Sequence, residues 1–199
     1  MRFDQALERL RERSPVPMFV SDVWDDDLDR RLRSAAVEEL FEGLTIRDPH
    51  MAACAVAGLH VWNDNFDAGH DLCQAIKTVT GSYWHGICHR REGHRGSGVE
   101  SNLGNARYWF RQVGDHPAFD GVYHSALRVL DGTGSGFRWA TEAAGQLRER
   151  RKWDPFALID WFGQAEAQVL STQTQVLLEE IQWREMDLLV SWCCAKAVG

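Results

Sequence analysis

Asp48 to Trp62 reads DPHMAACAVAGLHVW. An aspartate followed by proline is a helix start, because the carboxylate caps free amides and proline fits the first turn, where no N–H is needed. The apolar residues after it are too dense for a helix with a wet side, so this segment is expected at the centre of the molecule. The same Asp-Pro signal returns at Asp154-Pro155 and opens a helix expected to reach Leu170.

Outward from that segment the pattern is helical almost throughout. Phe3, Ala6, Leu7 and Leu10 recur at helical spacing and stop before Ser14-Pro15. Asp22 to Asp29 reads as a solvated connection or helix start, and a helix follows over Ala35 to Phe41 with Gly43 as its C-cap. DAGHDLCQAIKTV continues the central segment after a break near Asp64 to Asp67, with Asn and Asp supplying caps. Gly81-Ser82 resets the chain for a short helix from Tyr83. Gly93 to Gly98 is a glycine-rich loop, and Ser101 caps SNLGNARYWFRQV, which stops at Gly114. Pro117 opens the next helix, Gly132 to Gly136 forms a second loop, and helices cover Trp139 to Arg148 and Thr172 to about Lys196. The expectation is an all-α fold, a single-domain irregular helical bundle over residues 1–199 with roughly seven to nine helices by length priors. Its polar loops lie near 93–100 and 131–136.

Bulk properties narrow the function classes. A chain of 199 residues buries roughly 70% of its unfolded surface, enough to fold without staples. The net charge of −7 argues against nucleic acid and anionic membranes, which demand a basic footprint. No run approaches the length of a membrane span, and the N-terminus is charged without an apolar h-region. Five cysteines with no CxxC pair do not form a disulfide framework, so a cytoplasmic protein is expected.

Tyr83 to Pro117 concentrates the chemistry. On a helix His85 and His89 lie about 40° apart and Glu92 about 20° from His85, so the three share one face. Imidazoles one turn apart can grip a divalent metal ion, and a carboxylate can add a ligand or orient a ring. The bland alternative is a pair of boundary histidines with ordinary hydrogen bonds. His70, following Asp67 by one turn, is the candidate for a third ligand, and His70, His85, His89 and Glu92 are the candidates for acid–base work. His60, one turn before Asp64, is a further possible partner. His94 falls in the glycine loop, and His50 and His124 stand alone.

Helical phase puts Arg91 on the apolar side between Trp84 and Ile87. A buried guanidinium needs a distant carboxylate or an anionic ligand, unless its head snorkels to water. Between Tyr83 and Arg111 five arginines face only Glu92 and Glu100, a basic island suited to a small anion. Leu103, Ala106, Trp109, Phe110 and Val113 form the buried face of the following helix, with Asn105 and Tyr108 at its flank. Arg91, Asn105, Tyr108, Trp109, Arg111 and His116, the last beside a helix start, are the ligand-binding candidates. An aromatic stripe of this kind is also ordinary packing.

Three of these segments resemble a motif shared by uncharacterised, mostly bacterial and fungal proteins. It runs W-N-D-x-x-D-x-x-H, then Y-W-H-x-I-x-H-R-R-E, then N-A-K-Y-W-F-R-x-x-G-x-H-P. Here it stands as Trp62 to His70, Tyr83 to Glu92, and Asn105 to Pro117, with Arg107 in place of the lysine. The resemblance implies a shared site and supplies no activity. The reading is therefore a small-molecule enzyme with a His/Glu/Arg pocket, able to use a divalent metal and acting on an acidic or phosphorylated ligand. Its rivals are a non-catalytic small-ligand sensor and a protein-interaction module. The last would need Trp84 and Trp109 at the surface.

Overall fold

The computed structural model describes residues 1–93, 102–134 and 136–199. The helices, in chain order, are α1 (Phe3–Arg11), α2 (Asp26–Ser34), α3 (Val37–Leu40), α4 (Pro49–Trp62), α5 (Phe66–Ala75), α6 (Val79–Glu92), α7 (Asn102–Val113), α8 (Phe119–Asp131), α9 (Arg138–Arg150), α10 (Pro155–Glu166) and α11 (Thr172–Val198). Among the described residues there is no strand, and the all-α expectation holds. Among the described residues there are eleven helices where seven to nine were expected. One cause is the acidic stretch, where the Asp25 carboxylate accepts from the amides of Asp27 and Leu28 and starts α2. The helix expected over Ala35 to Phe41 shrinks to the single turn of α3.

Both Asp-Pro starts are in place: Asp48 caps α4 through the amides of His50 and Met51, and Asp154 caps α10 through that of Phe156. α4 is the centre. Ala52, Ala55, Ala57 and Gly58 keep its surface thin, so α11, α5, α6 and α1 all approach it. A Cβ on Gly58 would lie 2.5 Å from Cζ2 of Trp84, so glycine is what lets α6 seat its indole against α4. The order across the molecule is α7, α6, α4, α11, α8, α9, each against the next.

α6 departs most from expectation. It starts at Val79, with the Thr78 hydroxyl capping the Gly81 amide, rather than resetting at Gly81-Ser82. Gly81 serves close packing: a Cβ there would meet the Ile76 carbonyl oxygen at 2.3 Å. Every residue from Tyr83 to Arg91 is buried. A helix closed in on all sides must satisfy its polar groups within the protein, since an unpaired buried charge costs several kcal/mol. Similarly, α8 begins at Phe119, two residues after Pro117. The cap expected at Ser101, the loop over Gly93 to Gly98 beyond its first residue, and His94 lie outside the described residues.

Candidate metal centre

The two arginines of α6 are clamped from different directions. Arg90 is fully buried, donates to Glu185 on α11 at 2.5 Å, and lies over the rings of Phe110 and Phe162. The Tyr83 hydroxyl donates to the other Glu185 oxygen at 2.9 Å. Arg91, one position on, donates to Asp64 at 2.6 Å and to the Val61 carbonyl at 2.5 Å. Arg13 reaches the second Asp64 oxygen. Burial pushes the Asp64 carboxyl up, yet the guanidiniums of Arg91 and Arg13 overrule it and hold it below its ordinary value. Arg91, expected to face an anionic ligand if no carboxylate met it, thus has its carboxylate inside the fold. It pins α6 to the α4–α5 turn.

That turn aims α5. Asp64 takes a positive φ of 61°, and the Asn65 side chain accepts from the Ala68 amide to start the helix. His70, a turn later, comes edge-on to both α6 histidines. Its ring centroid is 4.6 Å from that of His85 and 5.2 Å from that of His89. His85 and His89 stack at 4.9 Å, as helical spacing required. One nitrogen from each of His70, His85 and His89 lies within 4.8 Å of the others, a group that could hold a metal ion. Tetrahedral coordination at about 2.0–2.1 Å brings ligand nitrogens to about 3.4 Å.

The electrostatics suit a cation. His85 is 2% exposed, and neither ring nitrogen has a hydrogen-bond partner. Trp109 covers its face at 3.9 Å. Burial, then the neighbouring imidazoles, pushes the His85 pKa down to about 3, so the ring stays neutral with a lone pair to give. Burial also lowers His89, against the pull of Glu92, whose Oε2 lies 3.0 Å from His89 Nδ1. A carboxylate that accepts a hydrogen bond from Nδ1–H fixes the ring and leaves the Nε2 lone pair free for a metal.

Beside the cluster opens a cleft of about 260 Å³ lined by Val20, Ser21, Asp22, Val23, Asp64, Asn65, Phe66, Asp67 and Glu92. Glu92 joins it to His89, and Phe66, stacked on His70 at 5.4 Å, forms the other join. No guanidinium is among these lining residues. Of the remaining candidates only Trp109 touches the cluster. Asn105, Tyr108 and Arg111 are exposed on α7. His116 is buried apart, with Nε2 3.1 Å from the Thr80 hydroxyl and Nδ1 accepting from the Ala118 amide, its ring against Tyr83 and Trp192. His60 is buried too, 3.9 Å from Asp29, while Asp64 belongs to the arginines. Trp84 is fully buried, whereas Trp109 is only partly buried, with one face of its ring on His85.

Sequence reasoning missed Phe66 and the acidic cleft. Asp22 looked like part of a solvated run, and only the chain's return beside α5 gives it a neighbourhood. Comparison with family models, with curated proteins and with solved structures yields no match.

Proposed function

We propose that this chain is a metal-dependent enzyme of the hydrolytic class, with His70, His85 and His89 holding one divalent ion and Glu92 orienting His89. The observation that carries the reading is His85: a buried, neutral imidazole with two unpartnered nitrogens, packed between two further histidines. Leaving such a polar group unsatisfied is costly, and a metal bond removes the cost. The segments that bear the motif resemblance are also the ones that supply α5, α6 and α7 to this cluster.

Three protein ligands leave a coordination position for water, the pattern of catalytic rather than structural sites. An ion held by His70, His85 and His89 would supply Lewis-acid chemistry, lowering the pKa of a bound water toward neutral so that hydrolysis of a carbonyl or phosphoryl centre becomes accessible. A cleft of about 260 Å³ lies next to the cluster, lined by Glu92 and Phe66, which contact His89 and His70. Elemental analysis of protein purified without a polyhistidine tag tests the reading. It should return about one equivalent of a divalent transition metal, removed by chelator and restored on adding zinc. Substoichiometric metal that added divalent ions do not restore would end it.

A further inference from the structure

The three imidazoles of the cluster are held in three different ways. Glu92 fixes the His89 ring through a contact of 3.0 Å to Nδ1. His70 lies nearly parallel to Phe66, at 5.4 Å with 23° between planes, and its Nδ1 stands 3.9 Å from the exposed Asp71. His85 has neither nitrogen bonded, so no acceptor sets its rotation about Cβ–Cγ. That torsion is broad for an imidazole, and a ring left free on it loses entropy when it binds an ion. Flat contacts hold the ring instead: Trp109 at 3.9 Å with 18° between planes, and His89 at 4.9 Å with 19°. Trp109 is the nearer, and it has no ligand role of its own. Its seat is fixed one residue away on both helices, because the ring of Phe110 closes on Gly86, where an added Cβ would meet it at 2.8 Å.

Resting on the metal reading above, we propose that Trp109 is the positioning residue of His85, holding its imidazole in the plane in which it ligates the ion. Stacking fixes the plane and not the flip of the ring, so the ion selects which nitrogen it takes. The contact also favours the loaded state. An indole face is electron-rich, and an imidazole bonded to a divalent ion is electron-poor, so the two attract more strongly once the ion is in place. Trp109 thus does for His85, by stacking, what Glu92 does for His89 by a hydrogen bond.

Trp109→Leu and Trp109→Phe separate stacking from bulk, and Asn105→Ala, exposed one turn earlier on α7, is the control. In a chelator competition Trp109→Leu should weaken zinc affinity about tenfold, the low end for loss of an orienting partner, and Trp109→Phe should recover to within about threefold of wild type. The visible absorption of cobalt(II)-loaded protein reports ligand geometry. It should change in Trp109→Leu, return in Trp109→Phe and match wild type in Asn105→Ala. The wild-type chain supplies a test that needs no variant to fold: the indole at 3.9 Å displaces the NMR signals of the His85 ring protons upfield, and that displacement should persist on zinc loading. The positioning role is overturned, and the metal reading stands, if zinc abolishes the displacement or if Trp109→Leu keeps wild-type affinity and cobalt spectrum. The same holds if Trp109→Phe fares no better than Trp109→Leu, or if Asn105→Ala loses as much. If the wild-type protein takes up neither zinc nor cobalt, both fall together.

Discussion

Asp64 carries two buried cations at one tight turn, and its removal would strand both. Arg13 and Arg91 would then face each other without a counter-charge, so Asp64→Asn should lower unfolding stability by about 3–5 kcal/mol in urea titration. A loss under about 1 kcal/mol would mean that the guanidiniums find other acceptors. Glu92 works differently, since it holds a ring rather than the fold. Glu92→Gln should keep the melting temperature within a few degrees yet weaken zinc affinity about 10–100-fold in a chelator competition. Equal affinities would remove Glu92 from the site. The phase of Arg91 placed it on the apolar side in the sequence, with burial or a snorkelling head both open, and His85, His89 and Glu92 fell on one face by spacing alone. The partner of Arg91 was not legible, because it depends on how the α4–α5 turn folds back across α6. For the same reason nothing in the sequence separated His116 from the cluster: its nitrogens are used by Thr80 and the Ala118 amide, contacts that the chain order does not announce.

At the scale of elements, α6 is the helix on which both stability and site depend, and glycines set its distances. Gly58 admits Trp84, and Gly86 admits Phe110, whose Cδ2 would lie 2.8 Å from an added Cβ. Gly58→Ala should cost about 1–3 kcal/mol through overpacking of a buried indole. Gly86→Ala should cost as much and also weaken zinc binding, because pushing Phe110 moves α7 and the Trp109 ring off His85. Gly104, on the same α7 but with open space around it, is the control: Gly104→Ala should be neutral or stabilise by about 0.4–1 kcal/mol. Comparable losses at positions 86 and 104 in thermal melts would contradict this packing. The start of α6 was misread from Gly81-Ser82 because a helix buried on every side shows no polar stripe to mark its extent. α4, by contrast, announced itself through Asp48-Pro49 and its unbroken apolar run.

Across the whole molecule, buried neutral histidines make stability depend on pH. Burial pushes His60 down to about 4, with Asp29 opposing only in part, and burial alone brings His116 to about 4. Unfolded histidine titrates near 6.5. Between about pH 6.5 and 4 the unfolded chain therefore binds protons that the native one refuses, and stability falls as pH drops through that window. Metal-free protein should melt at a lower temperature at pH 5 than at pH 7.5, with the His116→Gln variant showing a shallower slope. An unchanged or higher melting temperature at pH 5 would oppose that assignment. The helical class was open to sequence reading because caps and periodicity are local, whereas the pairing of α11 with α4 and α8 joins distant parts of the chain. Everything functional rests on three imidazoles converging on one ion. X-ray absorption at the zinc edge of the reconstituted, untagged protein addresses that directly. The account requires three imidazole nitrogens at about 2.0–2.1 Å plus a light-atom ligand, with the imidazole count falling in His85→Ala. A shell dominated by sulfur, or one unaltered by His85→Ala, would place the metal elsewhere and contradict it.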